Sequence, residues 1–390
     1  MTMRLQKRNK KNKIIFAILL ILLVGILVFL GFVMTKNITI TDNQITYEQK
    51  TKKLNFDISN QGQVAIGTLD GGTKFSTSNK QQPIASMAKV ITALVILDNT
   101  SSEDETFTVT SRDVEYYSRE VIRNGSRLHV AEGEELTLRQ AIESLMIISA
   151  NNIADSLINW KFDDFETYKT VANQWLKDKN LANTTIGKDA SGFDPSTTSS
   201  PNDMIEIGRL AMQNETLKQI VAEPTGVFPI TGEEQNTNKL LNQGFNGIKT
   251  GNSDQALSCL LFARNYLDET IIGVMMGQPF NTTFDTANII WDSIDRNFEE
   301  IIIPANTLVG NYILPWGGEV SVVTDDEIST YTWLNAQPEI SLESINLNTD
   351  HNSEIGTIKL DDKTSTLRIN DVIDDPSIWW RLTNLDQILK

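Results

Sequence analysis

The sequence predicts an α/β protein of the α+β type: an antiparallel sheet assembled from both ends of a domain around a helical insert, with a small C-terminal β-rich domain and an N-terminal transmembrane helix. Three observations carry that expectation. Strand signals at 63–77 and again at 247–276 bracket a helical middle. Residues 14–34 run for 21 positions without a charge. From about residue 306, short apolar runs alternate with Gly, Asn and Asp turns.

As a helix, the uncharged run spans about 31 Å against a hydrocarbon core of roughly 30 Å. It exceeds the roughly 7–15 apolar residues of a cleaved signal, and no Ala-x-Ala site follows, so an uncleaved signal anchor is expected at 14–34. Arg4, Lys7, Arg8, Lys10, Lys11 and Lys13 precede it. By the positive-inside rule residues 1–13 form a cytoplasmic basic tail, and everything beyond Lys36 lies outside a bacterial membrane. Residues 35–54 read as a linker. Beyond it, 63–70 and 73–77 flank Gly71-Gly72 as a hairpin. Residues 85–97 are apolar nearly all round, as a buried helix should be. Thr137-Leu-Arg-Gln140 offers a capping box for a helix running to about 148, and Ser200-Pro201 starts another with proline at its first position. Strands are expected at 247–250, 256–263 and 270–276, and a helix at 283–298. These elements place a catalytic domain at 55–303 and the β-rich domain at 304–390. Trp379 and Trp380, among leucines at near-helical spacing, suit either a segment lying on a membrane or the closing of the β-domain core.

Composition narrows the function. Apolar residues at 40% and charged residues at 22% of 390 are ordinary globular usage. Setting the six N-terminal cations aside turns a net charge of −16 into −22 for the rest, a surface that repels nucleic acid. Cys259 is the single cysteine, so there is no intrachain disulfide and no cysteine-based metal site. With only His129 and His351, a zinc centre or a Ser-His-Asp triad starts poorly supplied.

Three short motifs carry chemistry. Ser86-Met-Ala-Lys89 lies on an expected helix, where a spacing of three puts hydroxyl and amine on one face. A lysine held in apolar surroundings loses its charge easily and can take the serine proton. Alone the motif is weak, since about one or two matches arise by chance in this length. Ser149-Ala-Asn151 falls where one helix yields to the next, and a helix cap would look the same. Lys249-Thr-Gly251 occurs once, on an expected strand. Its cation and hydroxyl suit a substrate carboxylate, and its glycine lets a ligand approach the backbone.

In this order the three motifs resemble the active-site set of penicillin-binding proteins and serine β-lactamases. A wider likeness, over roughly 55–300, is to the D-alanyl-D-alanine carboxypeptidases. It rests on Pro83-Ile-Ala-Ser-Met-Ala-Lys89, Ser149-Ala-Asn-Asn-Ile-Ala154 and Gly247-Ile-Lys-Thr-Gly251, with Ala190-Ser-Gly-Phe-Asp194 and Thr198-Ser-Ser-Pro-Asn-Asp203 resembling that family's substrate-side loop. The resemblance implies a serine peptidase that removes the terminal D-alanine of peptidoglycan stem peptides, is inhibited by β-lactams, and needs no metal or organic cofactor. Ser86 would be the nucleophile and Lys89 its base. Ser149 and Asn151 would relay protons and hold the substrate amide, and Lys249 would support the electrostatics. Thr250, Gly251 and Asn252 would line the carboxylate and oxyanion sites, the N–H groups of Ser86 and Asn252 serving the latter. Two positions depart from the family pattern. Ser253-Asp-Gln-Ala-Leu257 has leucine where glycine is usual, and 278–283 lacks an arginine. These departures leave room for a non-catalytic wall-binding protein of the same fold. A class A β-lactamase is the weaker alternative, because 152–248 has no Glu-x-x-x-Asn.

Overall fold

Strands that are apolar along their length must be covered on both faces, and in the central sheet residues 64–68, 258–263 and 271–276 are buried without interruption. The computed structural model describes residues 2–58, 62–102 and 104–388, in two units: Asn55–Asp295, and a discontinuous one of Met1–Leu54 with Arg296–Lys390. In the first unit β1 (Gln63–Thr68), β2 (Gly72–Ser76), β3 (Ile248–Ser253), β4 (Leu257–Tyr266) and β5 (Glu269–Gln278) form one antiparallel sheet in the order β3-β4-β5-β1-β2. The two ends of the unit thus meet at β5 and β1, with Gly273 opposite Ile66. The insert between β2 and β3 is helical, as the bracketing strand signals require.

At its centre is α2 (Ala88–Asp98), every residue of which from 88 to 96 is buried. Around it stand α3 (Ser111–Ile122), α4 (Leu138–Met146), α5 (Asn151–Phe162) and α6 (Phe165–Asp178). Thr137 caps α4 through Gln140 in the expected reciprocal box, and Pro201 opens α7 (Pro201–Gln213), which packs on the sheet. The helix expected at 283–298 is shorter. It stops at Asp292, a 3-10 turn covers Ile294–Asn297, and Phe298 already belongs to a strand.

The discontinuous unit carries the apolar helix α1 (Thr2–Thr35), whose stretch Lys11–Thr35 is long and apolar enough to cross a membrane. The side chains of residues 1–10, which include four of the six basic ones, lie outside the described part. Of residues 35–54, expected as a linker, Thr35 ends α1 and residues 39–45 supply strands instead. Thr39–Ile40 pairs with Ile345–Asn346, and Asn43–Ile45 forms the edge of a six-stranded sheet beside Leu308–Ile313. Runs of two or three residues are too short to show a period of two, which is why they read as linker. Phe298–Ile303, expected with the catalytic domain, pairs here with Ile328–Trp333. The core holds Trp333 and Tyr312, both fully buried, with the Phe298 ring 4.3 Å from Trp333. The two tryptophans near residue 380 divide the roles open to them: Trp380 packs on Trp316 and donates to the Pro315 carbonyl at 3.1 Å, while Trp379 is 77% exposed. Arg381, buried, donates to the Val33 and Lys36 carbonyls at 3.1 and 2.9 Å, capping the end of α1.

Candidate active site

Between β2 and α2 the chain makes a 3-10 turn, Ala85–Met87, entered with Ala85 at φ 46°. In the run 84–96 Ser86 is the single residue that is not buried. An accessible hydroxyl on an otherwise enclosed helix start is where a nucleophile can be both reached and held.

Lys89, one turn on and wholly buried, places its Nζ 2.9 Å from Ser86 Oγ and 3.0 Å from the Ser191 carbonyl. Burial pulls its pKa from 10.5 down to about 7, while the charges of Asp189, Glu120 and Asp155 push back. The amine is therefore available as a base at neutral pH.

Ser191 is held in place by Asp189. That carboxylate accepts the N–H groups of Ser191 at 2.9 Å, Gly192 at 2.6 Å, Phe193 at 3.2 Å and Asp194 at 2.5 Å. The turn so folded is tied to α2 by Thr92, which donates to the Ala190 carbonyl at 2.7 Å.

Strand β3 forms the opposite wall. Lys249 is buried and donates to the Thr250 carbonyl at 3.2 Å; burial first, and the nearby Lys89 cation second, hold its pKa well below the ordinary lysine value. Thr250 Oγ1 lies 2.9 Å from Thr237 Oγ1. At Gly251 a Cβ would stand 3.0 Å from the Ile84 carbonyl oxygen and 3.3 Å from both Ala85 Cβ and Ser86 N, so glycine is what lets the strand lie against the Ser86 turn. Asn252 is exposed and accepts from Ser258 Oγ at 2.8 Å; Ser258 in turn bonds to Thr283 Oγ1. Leu257, where the family pattern has glycine, sits at φ 55°, a conformation for which glycine has no steric cost.

Ser149 (φ 62°) and Asn151 lie at the junction into α5, both nearly buried. Asn151 Nδ2 donates to Glu120 Oε2 at 2.9 Å. No hydrogen bond joins Ser149 to Ser86 or Lys89 among the described residues. The structure thus brings Ser86, Lys89 and Gly251 together directly, with Lys249 on the same strand as Gly251, while Asn151, Thr250 and Asn252 are held by other partners. Sequence reasoning passed over Glu120, Asp189 and the Ser191 carbonyl. Only Asp189, three residues ahead of Gly192, had a local signal, that of an aspartate capping its own turn. The histidines take no part here: His129 stacks on Tyr117 with ring centroids 5.0 Å apart, and His351 belongs to the other unit.

A sequence profile of the D-alanyl-D-alanine carboxypeptidases matches residues 36–279. The chain is 26% identical over 236 residues to a D-alanyl-D-alanine carboxypeptidase of a Streptomyces species, covering 55% of this chain and 79% of that one. It is 33% identical over 202 residues to one of Mycobacterium tuberculosis, covering 49% and 66%. Among solved structures, a Streptomyces DD-transpeptidase shares the fold with a TM-score of 0.55 at 24% identity, over 62% of this chain and 98% of that one. A Mycobacterium tuberculosis D-alanyl-D-alanine carboxypeptidase aligns with a TM-score of 0.54 at 25% identity, over 64% and 94%. With the profile spanning more than half of its length, the chain belongs to the D-alanyl-D-alanine carboxypeptidase family.

Proposed function

We propose that this protein removes the terminal D-alanine from peptidoglycan stem peptides through an acyl-enzyme on Ser86, and that α1 anchors it in a bacterial membrane with residues 1–13 in the cytoplasm. The observation that carries the mechanism is the 2.9 Å approach of a buried lysine, pulled down to about 7, to the one accessible hydroxyl of its turn. Ser86 Oγ attacks the carbonyl between the two terminal D-alanines as Lys89 Nζ takes its proton. The tetrahedral intermediate collapses when the leaving amine of D-alanine is protonated, and water then attacks the ester to regenerate Ser86. The Ser86 N–H, beside Gly251, would donate to the developing oxyanion together with that of Asn252. Thr250 and Lys249 suit the substrate's terminal carboxylate and its field, and Ser149 and Asn151 suit proton relay and the substrate amide. β-Lactams acylate the same serine in this reading.

Intact-mass spectrometry after incubation with a penicillin, with Ser86→Ala as control, tests it. One adduct per chain mapped to Ser86 and absent from the variant is expected, followed by D-alanine release from a D-Ala-D-Ala peptide. A folded protein that takes up no penicillin would overturn the acyl-enzyme; one that acylates but releases no D-alanine would overturn the carboxypeptidase.

A further inference from the structure

Glu120 belongs to no motif, yet its carboxylate touches one. Its side chain is wholly enclosed near the end of α3, where a lone carboxylate is costly to keep. Two arginines compensate it: Arg119 Nη2 reaches Oε1 at 2.9 Å and Arg123 Nε reaches Oε2 at 2.8 Å. Burial raises its pKa, but hydrogen bonds from Arg123, Asn151 and Arg119 outweigh that and hold it below the ordinary value. An ionised carboxylate only accepts hydrogen bonds. The 2.9 Å contact with Asn151 therefore decides which way that amide faces: its NH2 is turned to Glu120 and its Oδ1 away.

The backbone is built around this pair. A Cβ on Gly125 would stand 2.1 Å from Glu120 Oε2 and 2.9 Å from Asn151 Nδ2. The Gly125 N–H donates to the Glu120 carbonyl at 2.9 Å, and the Asn151 N–H to the Ser126 carbonyl at 2.8 Å. The end of α3 and the start of α5 are thus joined through side chain and main chain alike, and Gly125 has the only side chain small enough for the join.

We propose that Glu120 is a positioning residue for the acyl transfer, holding the Asn151 amide in one orientation, with its NH2 on Glu120 and its Oδ1 as the atom left to accept from the groups of the active site. The proposal rests on the reading of Ser86 as nucleophile and Asn151 as a substrate-holding group. With glutamine at 120, a neutral amide of the same shape can donate as well as accept, and the orientation of Asn151 is no longer dictated.

The second-order rate of Ser86 acylation by a penicillin, and kcat and KM on a D-Ala-D-Ala peptide, would be measured for the wild type, Glu120→Gln, Gly125→Ala, Asn151→Ala and the Glu120→Gln/Asn151→Ala double variant. Glu120→Gln is expected to slow acylation about ten- to a hundredfold, the range typical of a misplaced binding group. Gly125→Ala should slow it similarly with every charge in place. The double variant should be no slower than Asn151→Ala within about twofold, because Glu120 acts through that residue; a general loss of structure would multiply the two effects instead. Glu120→Gln acylating at the wild-type rate, or losses that multiply in the double variant, would overturn the proposal. Should Glu120→Gln fail to fold, Gly125→Ala with and without Asn151→Ala decides the matter by the same criterion. A wild type that takes up no penicillin overturns the nucleophile assignment itself, whereas one that does, with Glu120→Gln unimpaired, removes only the role of Glu120.

Discussion

Following Ser86 acylation from about pH 5 to pH 9 interrogates Lys89 directly. An amine pulled down to about 7 is about half neutral at neutral pH. At the ordinary 10.5 only about one in several thousand would be neutral, so burial raises the supply of free base roughly a thousandfold. Only the neutral amine can accept the serine proton. The acylation rate should therefore rise about tenfold per pH unit below 7 and level off above it. Lys89→Arg keeps the cation but cannot shed its proton, and should lose at least about a thousandfold at every pH. The same shift acts on stability. Because the folded pKa lies below the unfolded one, the unfolded chain binds more protons between about 7 and 10.5, and the contribution of Lys89 to stability rises with pH across that window. The penalty for its charge is fully present below the folded value. Time courses of labelling by a fluorescent penicillin, quenched and read on a gel at each pH, supply the rates. A rate flat from about pH 5 to 8, or a midpoint close to the ordinary lysine value, would refute the assignment of Lys89 as the base.

Two further substitutions probe the walls of the site. Gly251→Ala places a methyl 3.0 Å from the Ile84 carbonyl oxygen and 3.3 Å from Ser86 N; it should lower stability by about 1–3 kcal/mol through overpacking and slow acylation at least about tenfold, and wild-type kinetics would show that β3 need not lie so close. Leu257→Gly relieves a left-handed leucine at φ 55° at the expense of a more flexible unfolded chain, for a net gain of up to about 1 kcal/mol in chemical denaturation with acylation unchanged. A clear loss of stability there would mean that the packing of the leucine side chain outweighs its backbone strain.

The helix bearing Lys89, the capping box at Thr137, the proline start at 201 and the five-stranded sheet were all legible because each has a local cause: unbroken apolarity, a reciprocal cap, a fixed φ, a run of β-formers; the 3-10 turn that carries Ser86 ahead of that helix was read as part of it. The approach of Gly251 to the Ser86 turn was legible only through the likeness to a known motif set, since no local rule brings that turn and β3 together. Glu120 was illegible for the same reason. It meets Asn151 across 31 positions, and nothing in its neighbours in sequence distinguishes it from a solvated helix carboxylate. The strands at 39–45 escaped because they are too short to alternate and are held by partners about 300 residues away. The end of the helix near 292 escaped because its apolar pattern continues straight into the following strand.

The contact of Arg381 with the Val33 and Lys36 carbonyls spans 348 and 345 positions of sequence. The carbonyls at the end of α1 are therefore synthesised long before the guanidinium that caps them, with the whole Asn55–Asp295 unit translated in between. That unit is continuous in sequence and can close on its own timetable. The other has two halves that meet late, so a stalled or truncated chain would leave the Asn55–Asp295 unit ordered and the halves of the other unit unjoined.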